Sequence, residues 1–132
     1  MANSSKEKFL SPEHTVLTDV GPCLFEKGVT YRVWAMGHRT VSVHVERTNG
    51  EKFVVELKQA KASGYFFGLD RHGRAGDLYM ISIDGAAPIP DFVSHYQPRG
   101  VFGPSQVVDA QAFPWQAQDW KRPAWNGQII YE

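Results

Sequence analysis

The feature that most constrains this chain is a run of short alternating segments between residues 22 and 83. Val41, Val43 and Val45 alternate with Ser42, His44 and Glu46, and Phe53, Val55 and Leu57 alternate with Val54, Glu56 and Lys58. A period of two belongs to strands with one buried and one wet face. Between them lies Arg47-Thr48-Asn49-Gly50, whose Asn-Gly pair suits a tight hairpin turn. Residues 41–47 and 52–58 therefore read as the most secure hairpin. Around it, 23–25, 29–34, 64–69 and 78–83 are further short apolar runs, each closed by Gly, Asp or Asn. Roughly one strand per ten residues predicts an all-β sandwich.

After Ala86 the pattern stops. Pro88, Pro90, Pro98, Pro104, Pro114 and Pro123 break the chain, and proline neither donates to a ladder nor sits well inside a helix. This part reads as an extended Pro/Trp-rich strap carrying Phe113, Trp115, Trp120 and Trp125, with one more strand near 106–108. Four large rings call for burial, so the strap is expected to pack. Residues 1–20 read as a flexible polar tail, 21–109 as the sandwich with its packed extension, and 110–132 as a linker. Gln128-Ile129-Ile130-Tyr131-Glu132 looks like the opening of a strand cut short.

Charge and chemistry exclude several classes of function. Fourteen Lys and Arg balance fourteen Asp and Glu, which argues against a basic nucleic-acid binder or a polybasic membrane anchor. No apolar run is long enough to span a bilayer, and the first residues lack the apolar region of a secretory signal. The single cysteine, Cys23, excludes an internal disulfide and fits a reducing, cytoplasmic setting; its apolar neighbours predict a buried, inert thiol. His14, His38, His44, His72 and His95 have no metal-ligand spacing, so no metal or other cofactor is expected. Gly73-Arg74-Ala75-Gly76 lacks the Lys and helix of a phosphate loop, and Gly103-Pro104-Ser105-Gln106 is not a nucleophile elbow. Asp70, Asp77, Asp84, Asp91, Asp109 and Asp119 all sit at turns or strand ends, where Asp bonds local amides. Nothing in the spacing brings two of them across one glycosidic bond, so no catalytic residue is expected. Aromatic side chains remain as sugar platforms: Tyr65, Phe66 and Trp120 are the candidates, with Tyr65 and Phe66 on opposite faces of one strand.

The run Gly28-Val-Thr-Tyr-Arg-Val-Trp34-Ala35, with Val41–Val45, Gly64-Tyr-Phe and Gly76-Asp-Leu-Tyr79 through Asp84-Gly85, resembles a known family. It is similar to the immunoglobulin-like, early-set β-sandwich ahead of the barrel in α-amylase-superfamily enzymes, grouped with carbohydrate-binding module family 48. Pro90-Asp91, then Ser94-His-Tyr96-Gln97-Pro98-Arg-Gly100-Val-Phe-Gly103-Pro104-Ser-Gln-Val-Val-Asp109, and later Phe113-Pro-Trp115 and Asp119-Trp120, resemble the malto-oligosyltrehalose trehalohydrolase family within it. Met36 and Phe92 stand where the family usually has Pro.

The resemblance implies a non-catalytic accessory domain of a glycoside hydrolase family 13 enzyme that releases trehalose from maltooligosyl trehalose. Its partner would be the (β/α)8 barrel of the parent chain, with α-glucan oligosaccharide as a further ligand and neither nucleic acid nor membrane. Trp34, Tyr79, Asp91, Tyr96, Gln97, Pro98, Gly103, Pro104 and Trp115 are the family-motif and domain-interface residues it implies. Glycogen-binding members carry a Trp in the loop that here reads Glu46-Arg-Thr-Asn-Gly50, a Lys where Met80 stands, and a Trp after Asp84-Gly85. Those residues are missing, which implies that the family's glycan-stacking site is absent. The equivalent domain of a branching or debranching enzyme, and a freestanding α-glucan-binding module, are the alternatives.

Overall fold

The computed structural model describes residues 20–60, 64–117, 119–121, 124 and 126–129. Seven antiparallel strands form the described fold: β1 (Gly21–Phe25), β2 (Gly28–Trp34), β3 (Val41–Glu46), β4 (Lys52–Gln59), β5 (Tyr65–Asp70), β6 (Leu78–Ile83) and β7 (Ser105–Gln106). They lie in the order β1-β2-β5-β4-β3-β6-β7. The all-β reading holds; the described residues contain no α-helix, only one 3-10 turn at Ala110–Ala112.

β4 makes the curl. Lys52 through Leu57 pair with β3, while Lys58 and Gln59 pair with Phe67 and Phe66 of β5. One strand thus serves both halves of the sandwich and brings their inner faces together. Val29, Tyr31, Val33 and Phe66 enter the core from the β2/β5 half. Val41, Val43, Val45, Leu57, Tyr79 and Ile81 enter from the β3/β4/β6 half, and Val107 closes it. β3 keeps the period of two without exception, each valine buried and each intervening residue half-buried.

The β3–β4 connection is longer than a two-residue hairpin. Gly50 N–H donates to the Arg47 carbonyl at 2.9 Å, Arg47 N–H to the Glu51 carbonyl at 2.8 Å, and Gly50 takes φ +86°. Asn49 does not enter the left-handed region, so this is a turn followed by a glycine in that region rather than a mirror-image turn on Asn-Gly. The mirror-image turn occurs instead after β6. Asp84 (φ 50°) and Gly85 (φ 74°) are both left-handed, and Ala86 N–H closes onto the Ile83 carbonyl. The chain then doubles back so that Ile89 bridges Ile81. The strand expected near 106–108 is shorter and lies earlier, at Ser105–Gln106. Val107 continues its line by exchanging hydrogen bonds with Gly76 and Asp77.

Two burial expectations are overturned. Cys23 is exposed, because β1 is an edge strand and Cys23 faces out from it. Phe113, Trp115 and Trp120 are also exposed, and so is every other described residue from 110 to 129. The sandwich is completed without them, so the strap does not cover itself on this chain. Trp125, Ile130 and Tyr131 lie outside the described residues.

Candidate functional site: a braced loop and an uncovered strap

The family-motif residues are organised around one buried polar clamp. Tyr79, on the inward face of β6, donates its hydroxyl to Asp91 Oδ2 at 2.9 Å. Asp91 Oδ1 accepts from Val93 N–H at 3.1 Å, and Asp91 N–H donates to Ser105 Oγ at 3.1 Å. Asp91 and Ser105 are buried. A side chain on β6, the connection after it and β7 are thereby tied together. Burial pushes the Asp91 carboxyl up from its ordinary value, against the hydrogen bonds that favour its charge. Burial, and next the Asp91 charge, push Tyr79 well above the ordinary phenol range. Tyr79 and Asp91 thus meet, and Ser105, which is no nucleophile, completes the clamp by accepting from the Asp91 amide.

The clamp anchors a loop that holds Tyr96, Gln97, Pro98, Gly103 and Pro104. Gln106 N–H donates to the Tyr96 carbonyl at 2.9 Å and closes its base. Gln97 Nε2 donates to the Val101 carbonyl at 2.9 Å, and Gly103 N–H donates to the Gly100 carbonyl at 2.9 Å. A Cβ on Gly103 would lie 2.8 Å from the Arg99 carbonyl oxygen, so only glycine lets the loop fold this tightly. Arg99 Nη2 reaches back 2.8 Å to Glu46 Oε1 on β3, and its hydrogen bond holds the Glu46 carboxyl below the usual range. Tyr96 and Pro98 are exposed; Gln97, Gly103 and Pro104 are half-buried.

The sugar-platform candidates separate. Phe66 is 1% exposed and belongs to the core, so its ring offers no face to a ligand. Tyr65, half-buried, faces the opposite way and is the cross-strand partner of Trp34, which is 47% exposed. Trp115 packs edge-on against Phe113 with centroids 4.7 Å apart, and Trp120 is exposed.

One carboxylate pair does converge, which spacing alone had not suggested. Arg47 donates to Asp70 Oδ1 at 2.7 Å and to Asp77 Oδ2 at 2.6 Å, with those carboxylates 3% and 2% exposed. The guanidinium also lies 4.4 Å above the Phe53 ring. Each carboxylate also accepts from a local amide, Asp70 Oδ1 from His72 N–H at 3.1 Å and Asp77 Oδ2 from Arg74 N–H at 2.9 Å, so the buried pair braces its turns and Arg47 rather than facing a ligand. Among the described residues no group of three or more His, Cys, Asp or Glu is placed to hold a metal ion, and no helix is long and apolar enough to cross a membrane.

No family model matches the chain. It is 33% identical over 105 residues to malto-oligosyltrehalose trehalohydrolase of Deinococcus radiodurans, and 30% identical over 109 residues to that of Saccharolobus solfataricus. The chain is similar to one part of malto-oligosyltrehalose trehalohydrolase. These matches cover 80% and 83% of this chain but only 16% and 18% of the relatives. Among solved structures, an assigned α-amylase from Salmonella typhimurium matches with TM-score 0.67 and 28% identity over 80% of this chain and 17% of its own. The maltotriose complex of PulA from Klebsiella pneumoniae matches with TM-score 0.60 over 68% of this chain and 11% of its own; at 22% identity that likeness concerns the fold. The chain is similar to a small part of each of these proteins.

Proposed function

We propose that this chain is a non-catalytic accessory domain of an α-amylase-family glycoside hydrolase of the malto-oligosyltrehalose trehalohydrolase type. The parent would release trehalose from maltooligosyl trehalose, and this domain would support its catalytic barrel and one side of the substrate cleft. The observation that carries the reading is the uncovered strap: every described residue from 110 to 129 is exposed, with Phe113, Trp115 and Trp120 between 59% and 68%. Rings of that size, left bare by the domain that precedes them, suit a surface that belongs to a larger polypeptide. The bare strap joins relatives more than five times longer than the segment they share with this chain. Trp34, Tyr96, Pro98 and Trp115, all exposed, fall to the interface in this reading, and Tyr79 and Asp91 hold it in shape. A neutral chain suits an uncharged glucan, and a single cysteine suits a cytoplasmic enzyme. The test is direct: the purified 132-residue chain incubated with malto-oligosyltrehalose releases no trehalose or reducing sugar, and sustained release by the chain itself would overturn the reading.

The Trp34–Tyr65 pair favours a second reading, a freestanding α-glucan-binding module with Tyr65 and Trp120 as further contacts. Titration with maltoheptaose, followed by tryptophan fluorescence, separates the two; saturable millimolar binding lost in Trp34→Ala supports the module.

A further inference from the structure

The loop over residues 97–103 presents Phe102, 90% exposed, with Val101 beside it at 72%. A single exposed apolar side chain is ordinary. Here the exposure coincides with an unusual amount of bracing. The loop is tied internally by Gln97 and Gly103, closed at its base by Gln106 and Tyr96, and pinned to β3 by Arg99. Phe92 and Tyr96, in the same connection, are exposed as well. An anchor residue held in place before contact loses little further freedom on docking, which is what makes anchors effective.

The loop itself suits an apolar partner: Arg99 is the one charged side chain in residues 97–103, and it is paired with Glu46 at 2.8 Å. The chain also covers only 16–18% of relatives that match this domain, so in that setting a much longer stretch of polypeptide stands nearby.

We propose that Phe102 is an anchor side chain that seats in an apolar pocket on the catalytic remainder of a longer polypeptide. This rests on the accessory-domain reading above and adds to it the docking point, which the motif pattern did not single out. The loop's glycines and prolines then serve to project one phenyl ring.

The experiment compares the 132-residue chain with the polypeptide encoded by the whole reading frame that contains it. Hydroxyl-radical footprinting reads Phe102 directly. It is expected to react freely in the short chain and to lose its reactivity in the longer one. Phe102→Asp is expected to leave the melting temperature of the short chain unchanged and to raise the undocked population of the longer polypeptide about thirtyfold, the scale of a central anchor. Equal Phe102 reactivity in both polypeptides overturns the proposal, and a longer polypeptide that still releases trehalose then leaves the accessory-domain reading standing. A reading frame that stops at Glu132 overturns both. A fall in the melting temperature of the short Phe102→Asp chain, or self-association of the short chain abolished by that substitution, assigns Phe102 to folding or to a second copy and overturns the proposal.

Discussion

Two tyrosines packed at a tilt in the core give a paired test of how the clamp works. Tyr31 and Tyr79 lie 5.4 Å apart, ring to ring, and each is 1% exposed. Their hydroxyls differ. Tyr79 donates to Asp91 Oδ2 at 2.9 Å, whereas the Tyr31 hydroxyl is buried with no hydrogen-bond partner. Replacing either by Phe keeps the ring and its packing and removes only the oxygen. Tyr79→Phe strands a buried carboxylate oxygen and is expected to cost about 1.5–3 kcal/mol, the scale of a hydrogen bond to a charged group. Tyr31→Phe removes a desolvated, unpaired hydroxyl and is expected to be neutral or to stabilise by about 1 kcal/mol. The two variants should therefore melt roughly 5–20 °C apart, at ~3–5 °C per kcal/mol for a domain of this size. Urea melts followed by circular dichroism give the difference directly, with unchanged m-values showing that only stability moved. If Tyr31→Phe is as costly as Tyr79→Phe, the assignment of the hydroxyls is wrong. Beyond stability, Tyr79→Phe should loosen residues 91–105, since Asp91 links β6 to β7.

Removing the guanidinium in Arg47→Ala leaves Asp70 and Asp77 buried without their shared partner and is expected to cost about 3–5 kcal/mol. Asp70→Asn with Asp77→Asn in the same chain should recover much of that loss in a chemical melt, and no recovery would contradict the pairing. Asp84 accepts from the Thr40 and Arg39 amides and from His38, which hold its pKa down at about 2. A depressed carboxylate stabilises the fold above its unfolded value of 3.8 and loses that contribution as pH falls toward 2. The melting temperature of the native chain should therefore drop through that window, while Asp84→Asn, which still tolerates φ 50°, shows a flatter profile.

The parts of the fold that sequence made legible are those governed by period two. In β3 every valine is inside, and the β3–β4 pairing follows from that alternation. Alternation alone sets Tyr65 and Phe66 on opposite faces, but only the register with β2 shows that Phe66 faces the core and Tyr65 meets Trp34. Arg47 was illegible because a long basic residue at a strand end reads as solvated; its partners lie 23 and 30 residues away. Cys23 misled because apolar neighbours signal burial only where a strand is covered, and β1 is an edge. β7 holds two residues, too few to show a period. The strap misled for a different reason. Its composition suits burial, yet composition does not say what covers it, and the described residues from 110 to 129 are exposed on this chain.

As an accessory domain this chain serves a catalytic remainder and performs no hydrolysis of its own in the proposed function. The measurement that tests it is trehalose release from malto-oligosyltrehalose by the polypeptide of the whole reading frame, before and after excision of residues 1–132. Activity in the intact polypeptide, its loss on excision, and none in the excised chain are the expected results. Full activity without residues 1–132, or release of trehalose by those residues alone, would contradict it.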